Sequence, residues 1–169
     1  DQQYAVLEGE RITMLIPRRD KDSILNNPTT RVEYQFTTLD QMLDYYKSLQ
    51  DQYDEFVGLV WDPEAGTDKN VRARYFAKAD ATGVGAAYYS GGYYTAENSE
   101  SMNGYLKQDW MTMHEVAHGY DTSLAYGDIP LVETINNMLG YFYEKANLAE
   151  GDTGWSSMQY FELVEDNYI

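Results

Sequence analysis

A chain of 169 residues has the size of one ordinary domain, and its 43% hydrophobic and 15% aromatic content excludes a disordered chain. The formal net charge of −16 at pH 7 argues against DNA, RNA and anionic membranes as partners, which need clustered Lys and Arg. No apolar run reaches the length of a membrane span, and with no cysteine the chain has no disulfides, thiolate metal sites or cysteine nucleophiles.

Asp1 begins a polar segment without a charged-then-apolar leader, so a secretory signal, if one is used, has been removed or lies outside this chain. Arg11 to Pro17 alternates as a strand does, with Ile12, Met14 and Ile16 on one face. After a polar loop through Asn26-Asn27-Pro28, Thr38 and Gln41 form a capping box for a helix. That helix carries Leu39, Met42, Leu43, Tyr46, Leu49 and Tyr53 at helical spacing. Phe56 to Trp61 reads as a buried strand, Asp62-Pro63 and Gly66 as a turn, and Val71 to Ala77 as its partner strand. In TGVGAAYYSGGYY, Thr82 to Tyr94, no Gly-Lys-Ser/Thr ending follows the glycines, so a phosphate-cradling loop is excluded. The segment reads as a strand, Ala86 to Tyr89, turning at Gly91-Gly92. Seventeen tyrosines are a surplus, read here as half-buried strand positions with hydrated hydroxyls rather than a carbohydrate surface.

In the second half, a helix starting between Asn103 and Asp109 runs through Tyr120, with Met113, Val116, Ala117 and Tyr120 as its apolar face and Gly119 near its end. Asp128 and Pro130 announce another, LVETINNMLGYFYEKA, with Leu131, Ile135, Met138 and Phe142 as its core stripe. Trp155 to Val164 reads as a last short helix. The whole is one domain over residues 1–169, sheet-rich over 1–100 and helical over 101–169, with no internal repeat.

The chemistry gathers in HEVAHGYD, His114 to Asp121, which holds the two histidines of the chain. Residues four apart share one face of a helix, so His114 and His118 can hold one ion. Glu115 can take a proton from water in an open coordination position, the general base of a zinc hydrolase. Thr112, Val116, Ala117 and Gly119 are uncharged, as a buried metal-bearing helix requires. The third ligand must be a carboxylate, because neither histidine nor cysteine remains. Asp121 is better placed to orient His118 than to bind metal, and Asp128 resembles a helix cap. Glu133 is preferred: it has room for a loop before it, and it lies in an apolar turn where an unpaired carboxylate is costly to bury. Asn137, one turn on, can hold a ligand imidazole through its other nitrogen.

HEVAHGYD followed by PLVETINNMLGYFYE, with RYFAKADATGVGAAYYSGGYYT upstream, resembles the enhancin-like, or M60-like, zinc metallopeptidases. The resemblance runs from about Phe56 to Lys145, and its most specific part is HExxH paired with a later Glu-x-x-Asn-Asn. It implies an α+β zincin-like fold: an N-terminal mixed β-sheet, an active-site helix, and a following helix that carries the third ligand. It implies a gluzincin with one catalytic Zn2+ on His114, His118 and Glu133, Glu115 as base, and an edge strand whose Gly85, Ala86, Tyr88 and Tyr89 bind the extended substrate. It also implies a secreted or cell-surface protein acting on mucins or other O-glycosylated proteins. Family catalytic domains are usually longer, which implies a core lacking part of a C-terminal subdomain.

The expected reaction is peptide hydrolysis by a metal-activated water, with no nucleic-acid partner, no membrane insertion and a monomeric chain. Tyr120 or Tyr126, by proximity, is the expected donor to the oxyanion. Two alternatives stay open: a non-catalytic zinc-containing glycan-binding or adhesion module, and a gluzincin acting on unglycosylated protein.

Overall fold

The computed structural model describes residues 2–25, 35–60, 74–90, 94–121 and 132–147. In chain order these form β1 (Tyr4–Glu8), β2 (Ile12–Pro17), a single 3-10 turn (Arg18–Asp20), α1 (Leu39–Val57), β3 (Tyr75–Ala79), β4 (Ala87–Ser90) and β5 (Tyr94–Glu97). The helices α2 (Trp110–Ala117), continued by a 3-10 turn (His118–Tyr120), and α3 (Val132–Asn147) follow. The expected Gly91-Gly92 turn, most of the loop around Asp128 and the helix Trp155 to Val164 lie outside the described residues.

The five strands pair in the order β1-β2-β3-β5-β4. The outer pairs are antiparallel and β2-β3 and β3-β5 are parallel, so the sheet is mixed. Register aligns Leu7, Met14, Ala77, Thr95 and Tyr89 in one row across the sheet. Side chains in one row share a face. Met14, Ala77 and Thr95 are fully buried there, so this face carries the helices, and it brings Tyr89 of the edge strand β4 to the helical side. Ile12 and Ile16 flank Met14 on the same face, as the alternation of β2 predicts.

Thr38 caps α1 by accepting the Gln41 N–H at 3.0 Å. The return arm of the box goes to Thr37, whose N–H donates to Gln41 Oε1 at 2.7 Å. Met42, Tyr46, Leu49 and Tyr53 are buried at 1% or less, whereas Leu39 is exposed. The expected strand Phe56 to Trp61 is not present as such. Phe56 and Val57 are the last turn of α1, which ends at Gly58, a left-handed C-cap at φ 75° whose N–H bonds back to Asp54 and Glu55. Glycine reaches this conformation at little cost, so it stops the helix there. Phe56 is apolar without being buried and meets Phe142 of α3 at 5.1 Å. The expected Asp62-Pro63 and Gly66 turn and residues 71–73 of the expected partner strand lie outside the described residues, and the described strand runs over Tyr75–Ala79.

On α3 the buried residues include Ile135, Asn136, Leu139 and Tyr143, while Met138 and Phe142 are more than a third exposed. The predicted stripe is therefore rotated by about one position, and Leu131 lies outside the described residues. The rotation seats Asn136, a polar residue, at a fully buried position against α2.

The surplus tyrosines also find a different use. Hydroxyls of Tyr53, Tyr75 and Tyr46 donate to the carbonyls of Met113 (3.0 Å), Val116 (2.8 Å) and Tyr105 (2.7 Å). Buried tyrosines on α1 and the partly buried Tyr75 on β3 thus brace α2 and the segment before it, each combining apolar bulk with one satisfied polar atom.

Arg11, at 1% exposure, donates to Asp51 at 2.7 Å, Asp54 at 2.9 Å and Tyr120 Oη at 3.4 Å. Removing one partner of a buried pair strands the other charge. Arg11→Leu is expected to lower stability by about 3–5 kcal/mol in denaturant unfolding, with much of the loss recovered in Arg11→Leu/Asp54→Leu.

Glu144 of α3 is 4% exposed, and its Oε2 has no hydrogen-bond partner among the described residues. Burial, reinforced by the charge of Asp109, pushes its pKa up to about 7. The unfolded chain ionises near the ordinary 4.5 while the folded one does not. This contribution to stability is therefore full below that value and declines as pH rises through about 7. Glu144→Gln is expected to raise the unfolding midpoint at about pH 8 and to leave it unchanged at about pH 4.

Candidate metal centre

The helix α2 is short and carries two opposed faces. Asp109 caps it by accepting the Met111 N–H at 2.9 Å, and Met113, Val116, Ala117 and Tyr120 are buried at 2% or less. His114 and His118 project from the other side, with side chains 12% and 13% exposed, and their rings meet edge to face at 4.9 Å. The chain tightens from α to 3-10 geometry at His118, which is why the second histidine belongs to the turn that follows α2.

Both rings are fixed through the nitrogen that faces away from their meeting point. Asn137 Oδ1 lies 2.7 Å from His114 Nδ1, and Asp121 Oδ2 lies 2.7 Å from His118 Nδ1. Each oxygen can only accept, so each Nδ1 carries its hydrogen and each neutral ring keeps its lone pair on Nε2. Burial lowers the His114 pKa against the opposing hydrogen bond of Asn137. Burial pushes His118 the same way, but the bond to Asp121 and its charge outweigh it and raise the pKa.

Glu133, in the first turn of α3, completes the group. Its carboxylate lies 3.2 Å from His114 Nε2 and 3.9 Å from His118 Nε2, and one donor atom from each of the three residues falls within 4.8 Å of the others. The costly-burial argument for Glu133 does not hold, because its side chain is 73% exposed. What places the carboxylate is the start of α3 opposite the histidines, with Asn137 Nδ2 bonded to the Glu133 carbonyl one turn on.

Glu115 is 6% exposed, and its Oε2 is bonded to nothing among the described residues. Burial raises its pKa to about 7, against the lowering influence of His118. Two imidazole nitrogens and a carboxylate oxygen suit zinc, and an unpartnered buried carboxylate beside them suits a site that handles a proton. The residues therefore fit such an ion.

The edge strand meets this centre through one residue. Tyr89 stacks on His118 at 6.3 Å and tilts against Tyr75 at 5.9 Å. On the far side, Trp110 packs against His114 at 4.6 Å. Asn98 N–H donates to the Ala86 carbonyl at 2.8 Å, so Ala86, Tyr88 and Ser90 direct their backbone groups to β5, and Ala87 and Tyr89 direct theirs out from the sheet edge.

Most of the expected substrate-binding set is accordingly placed elsewhere. The carbonyls of Gly85 and Ala86 are taken by Asn98, from its side chain at 3.0 Å and its backbone N–H respectively. Tyr88 points to the opposite face of the sheet, where its hydroxyl donates to Asp80 at 2.5 Å. Tyr89 alone of the four faces the centre, and Ala87 is the edge residue that the sequence reading passed over. Tyr120 is also misplaced as an oxyanion donor: it is 2% exposed on the core side, with its hydroxyl donating to the Gln50 carbonyl at 3.2 Å. Tyr126 lies outside the described residues.

Gly119 marks a close approach: a Cβ there would lie 1.5 Å from Tyr75 Oη. Gly119→Ala is expected to displace Tyr75, break its bond to the Val116 carbonyl and cost about 1–3 kcal/mol in denaturant unfolding, the usual range for overpacking.

No family model matches the chain. Among individual proteins it is 34% identical over 141 residues to the viral-enhancing factor of Trichoplusia ni granulosis virus, covering 80% of the chain. To that of Heliothis armigera granulosis virus it is 33% identical over 139 residues, covering 79%. The chain spans 14% of the length of each of these relatives. In structure it is similar to a conserved protein of unknown function from Bacillus anthracis, with TM-score 0.62 and 19% identity over 86% of this chain and 29% of that one. It is also similar to the M60 catalytic domain of ZmpC from Clostridium perfringens, solved in complex with the sialyl T antigen. There the TM-score is 0.60 and the identity 17%, over 86% of this chain and 26% of that one. The fold is α+β and zincin-like: the mixed sheet, the histidine-bearing helix and the helix after it are in the arrangement the resemblance implies. The chain belongs to the enhancin-like, M60-like family.

Proposed function

We propose that this chain is the catalytic core of a zinc-dependent endopeptidase of the gluzincin type that cleaves mucins or other O-glycosylated proteins. The observation that carries the reading is the meeting of one donor atom each from His114, His118 and Glu133 within 4.8 Å, beside a buried Glu115 whose Oε2 has no partner among the described residues. His114, His118 and Glu133 would hold the ion. When bound, it supplies a polarised water and a Lewis acid for the scissile carbonyl.

The remaining work falls to side chains of this protein. Glu115 takes a proton at its free Oε2 and returns it to the leaving amine, a task suited to a carboxyl held near neutrality by burial. Asn137 and Asp121 keep the two rings in the tautomer that presents Nε2. Ala87 and Tyr89 offer outward backbone groups to an extended peptide, laying it along β4 and over the histidines. The glycoprotein part of the proposal draws support from the similarity to an M60 domain solved with a sialylated glycan. A substrate of that kind places the protein outside the cell, secreted or on a surface.

Glu115→Gln tests this. It is expected to retain about one zinc per chain by metal analysis and to cut an O-glycosylated protein about 10²–10⁴-fold more slowly than wild type. Equal cleavage by the variant removes Glu115 as base. Equal cleavage of the enzymatically deglycosylated substrate removes the glycan from the proposal.

A further inference from the structure

Tyr89 carries two kinds of group toward the centre, and the proposed function uses one of them. Its backbone groups point out from the sheet edge, where an extended peptide would lie. Its side chain turns to the helical face and stacks on His118, with planes 25° apart and centroids 6.3 Å apart. Offset aromatic pairs attract over such separations.

The ring of Tyr89 is itself backed by a fixed neighbour. It tilts against Tyr75 at 5.9 Å. Tyr75 donates its N–H to the Arg11 carbonyl at 3.0 Å and its hydroxyl to the Val116 carbonyl at 2.8 Å, and it fits there because Gly119 has no Cβ. Three rings thus run from β3 through β4 to the histidine-bearing turn. At that turn the bond from His118 Nδ1 to Asp121 fixes one edge of the imidazole, and rotation about the bond still swings the rest of the ring. The amide of Asn136 lies over the ring from α3, at 3.0 Å from Nε2 and 3.4 Å from Nδ1, and Tyr89 meets it from the sheet.

We propose that the side chain of Tyr89 is a positioning residue: its ring holds the plane of the His118 imidazole and so ties the metal-binding face to the strand on which the substrate lies. The inference rests on the metal site of the proposed function. It gives one residue two separable roles, since a change of side chain leaves the backbone groups of residue 89 in place. Tyr88, identical in type and adjacent in sequence, faces the other side of the sheet and donates to Asp80, which makes it the control.

The test loads wild type, Tyr89→Phe, Tyr89→Leu and Tyr88→Leu with zinc. It follows the release of zinc to a coloured chelator, the imidazole resonances, and kcat and KM on an O-glycosylated protein. Tyr89→Leu is expected to release zinc about three- to ten-fold faster, the range an aromatic pair contributes, and to lose a similar factor in kcat while KM stays within about two-fold. Its His118 resonances shift more than those of His114, and assignment is simple because the chain has only two histidines. Tyr89→Phe keeps the ring and matches wild type in zinc release, kcat and KM. Tyr88→Leu releases zinc at the wild-type rate.

Zinc release from Tyr89→Leu at the wild-type rate overturns the proposal, as does equal acceleration in Tyr88→Leu or in Tyr89→Phe. A raised KM with unchanged kcat also overturns it, because the side chain would then touch substrate rather than position His118. Tyr89→Met repeats the comparison if the Leu variant does not fold. Failure of both to fold overturns the proposal, because Tyr89 would then be a core support. If wild type binds zinc and cleaves nothing, the catalytic reading fails and zinc release decides the role of Tyr89. If wild type binds no zinc, the proposed function fails instead, and the His118 resonances of the Leu and Phe variants alone decide whether the stack holds the ring.

Discussion

The placement of the histidine pair depends on Arg11. Its guanidinium bonds to two carboxylates of α1 and to the hydroxyl of Tyr120, two residues beyond His118. Its carbonyl accepts the N–H of Tyr75 at the start of β3 and a side-chain N–H of Gln50. One residue at the head of β2 thus joins the sheet, α1 and the turn that ends the histidine-bearing segment. Burying such a charge gains little stability in itself, because desolvation offsets much of the attraction. What the arrangement supplies is geometry, since only one docking of α1 on the sheet satisfies all of these bonds. The tyrosine braces from α1 and β3 then hold α2 at two carbonyls on its core side. The rings of His114 and His118 on its other side face α3, with Tyr89 of β4 stacked on His118 and Trp110 against His114.

The centre is accordingly built from two shallow layers. Beneath it lies a core side fixed by buried hydroxyls and one ion cluster. Above it lies α3, which delivers Glu133, Asn136 and Asn137 from a single turn and a half of helix. Positions three and four apart on a helix lie side by side, so these three polar groups face α2 together. The cost is a helix whose buried side is partly polar, and that cost appears in the exposed Met138 and Phe142.

This explains what could be read from the sequence. The β2 strand, the capped start of α1, the face of α2 and the proximity of His114, His118 and Glu133 were all visible, because they follow from local periodicity, capping chemistry and ligand spacing. The stripe on α3 was misjudged because pattern reading assigns buried positions to apolar residues, whereas here Asn136 takes one, with its amide against His114. The sequence held a signal for it: a second asparagine beside Asn137, three residues after Glu133. The end of α1 was misread because FVGLVW is apolar enough for a strand, and only the backbone shows that Gly58 stands at a left-handed cap. Tyr88 and Tyr89 could not be told apart by type. Register alone sends one to Asp80 and the other to His118, and register is a tertiary property.

The open side of β4 carries a further consequence. A strand whose outward backbone groups have no partner among the described residues could pair with another copy of itself as readily as with a peptide, and sheet edges of this kind nucleate association. This edge has tyrosines rather than lysines to blunt it. The guard it does have is collective: a net charge of −16 at pH 7 keeps copies of the chain apart. That guard weakens in concentrated salt and as the carboxylates protonate. The same acidity that argues against nucleic acid as a partner thus serves as a colloidal defence, keeping such a sheet edge from closing on a neighbour.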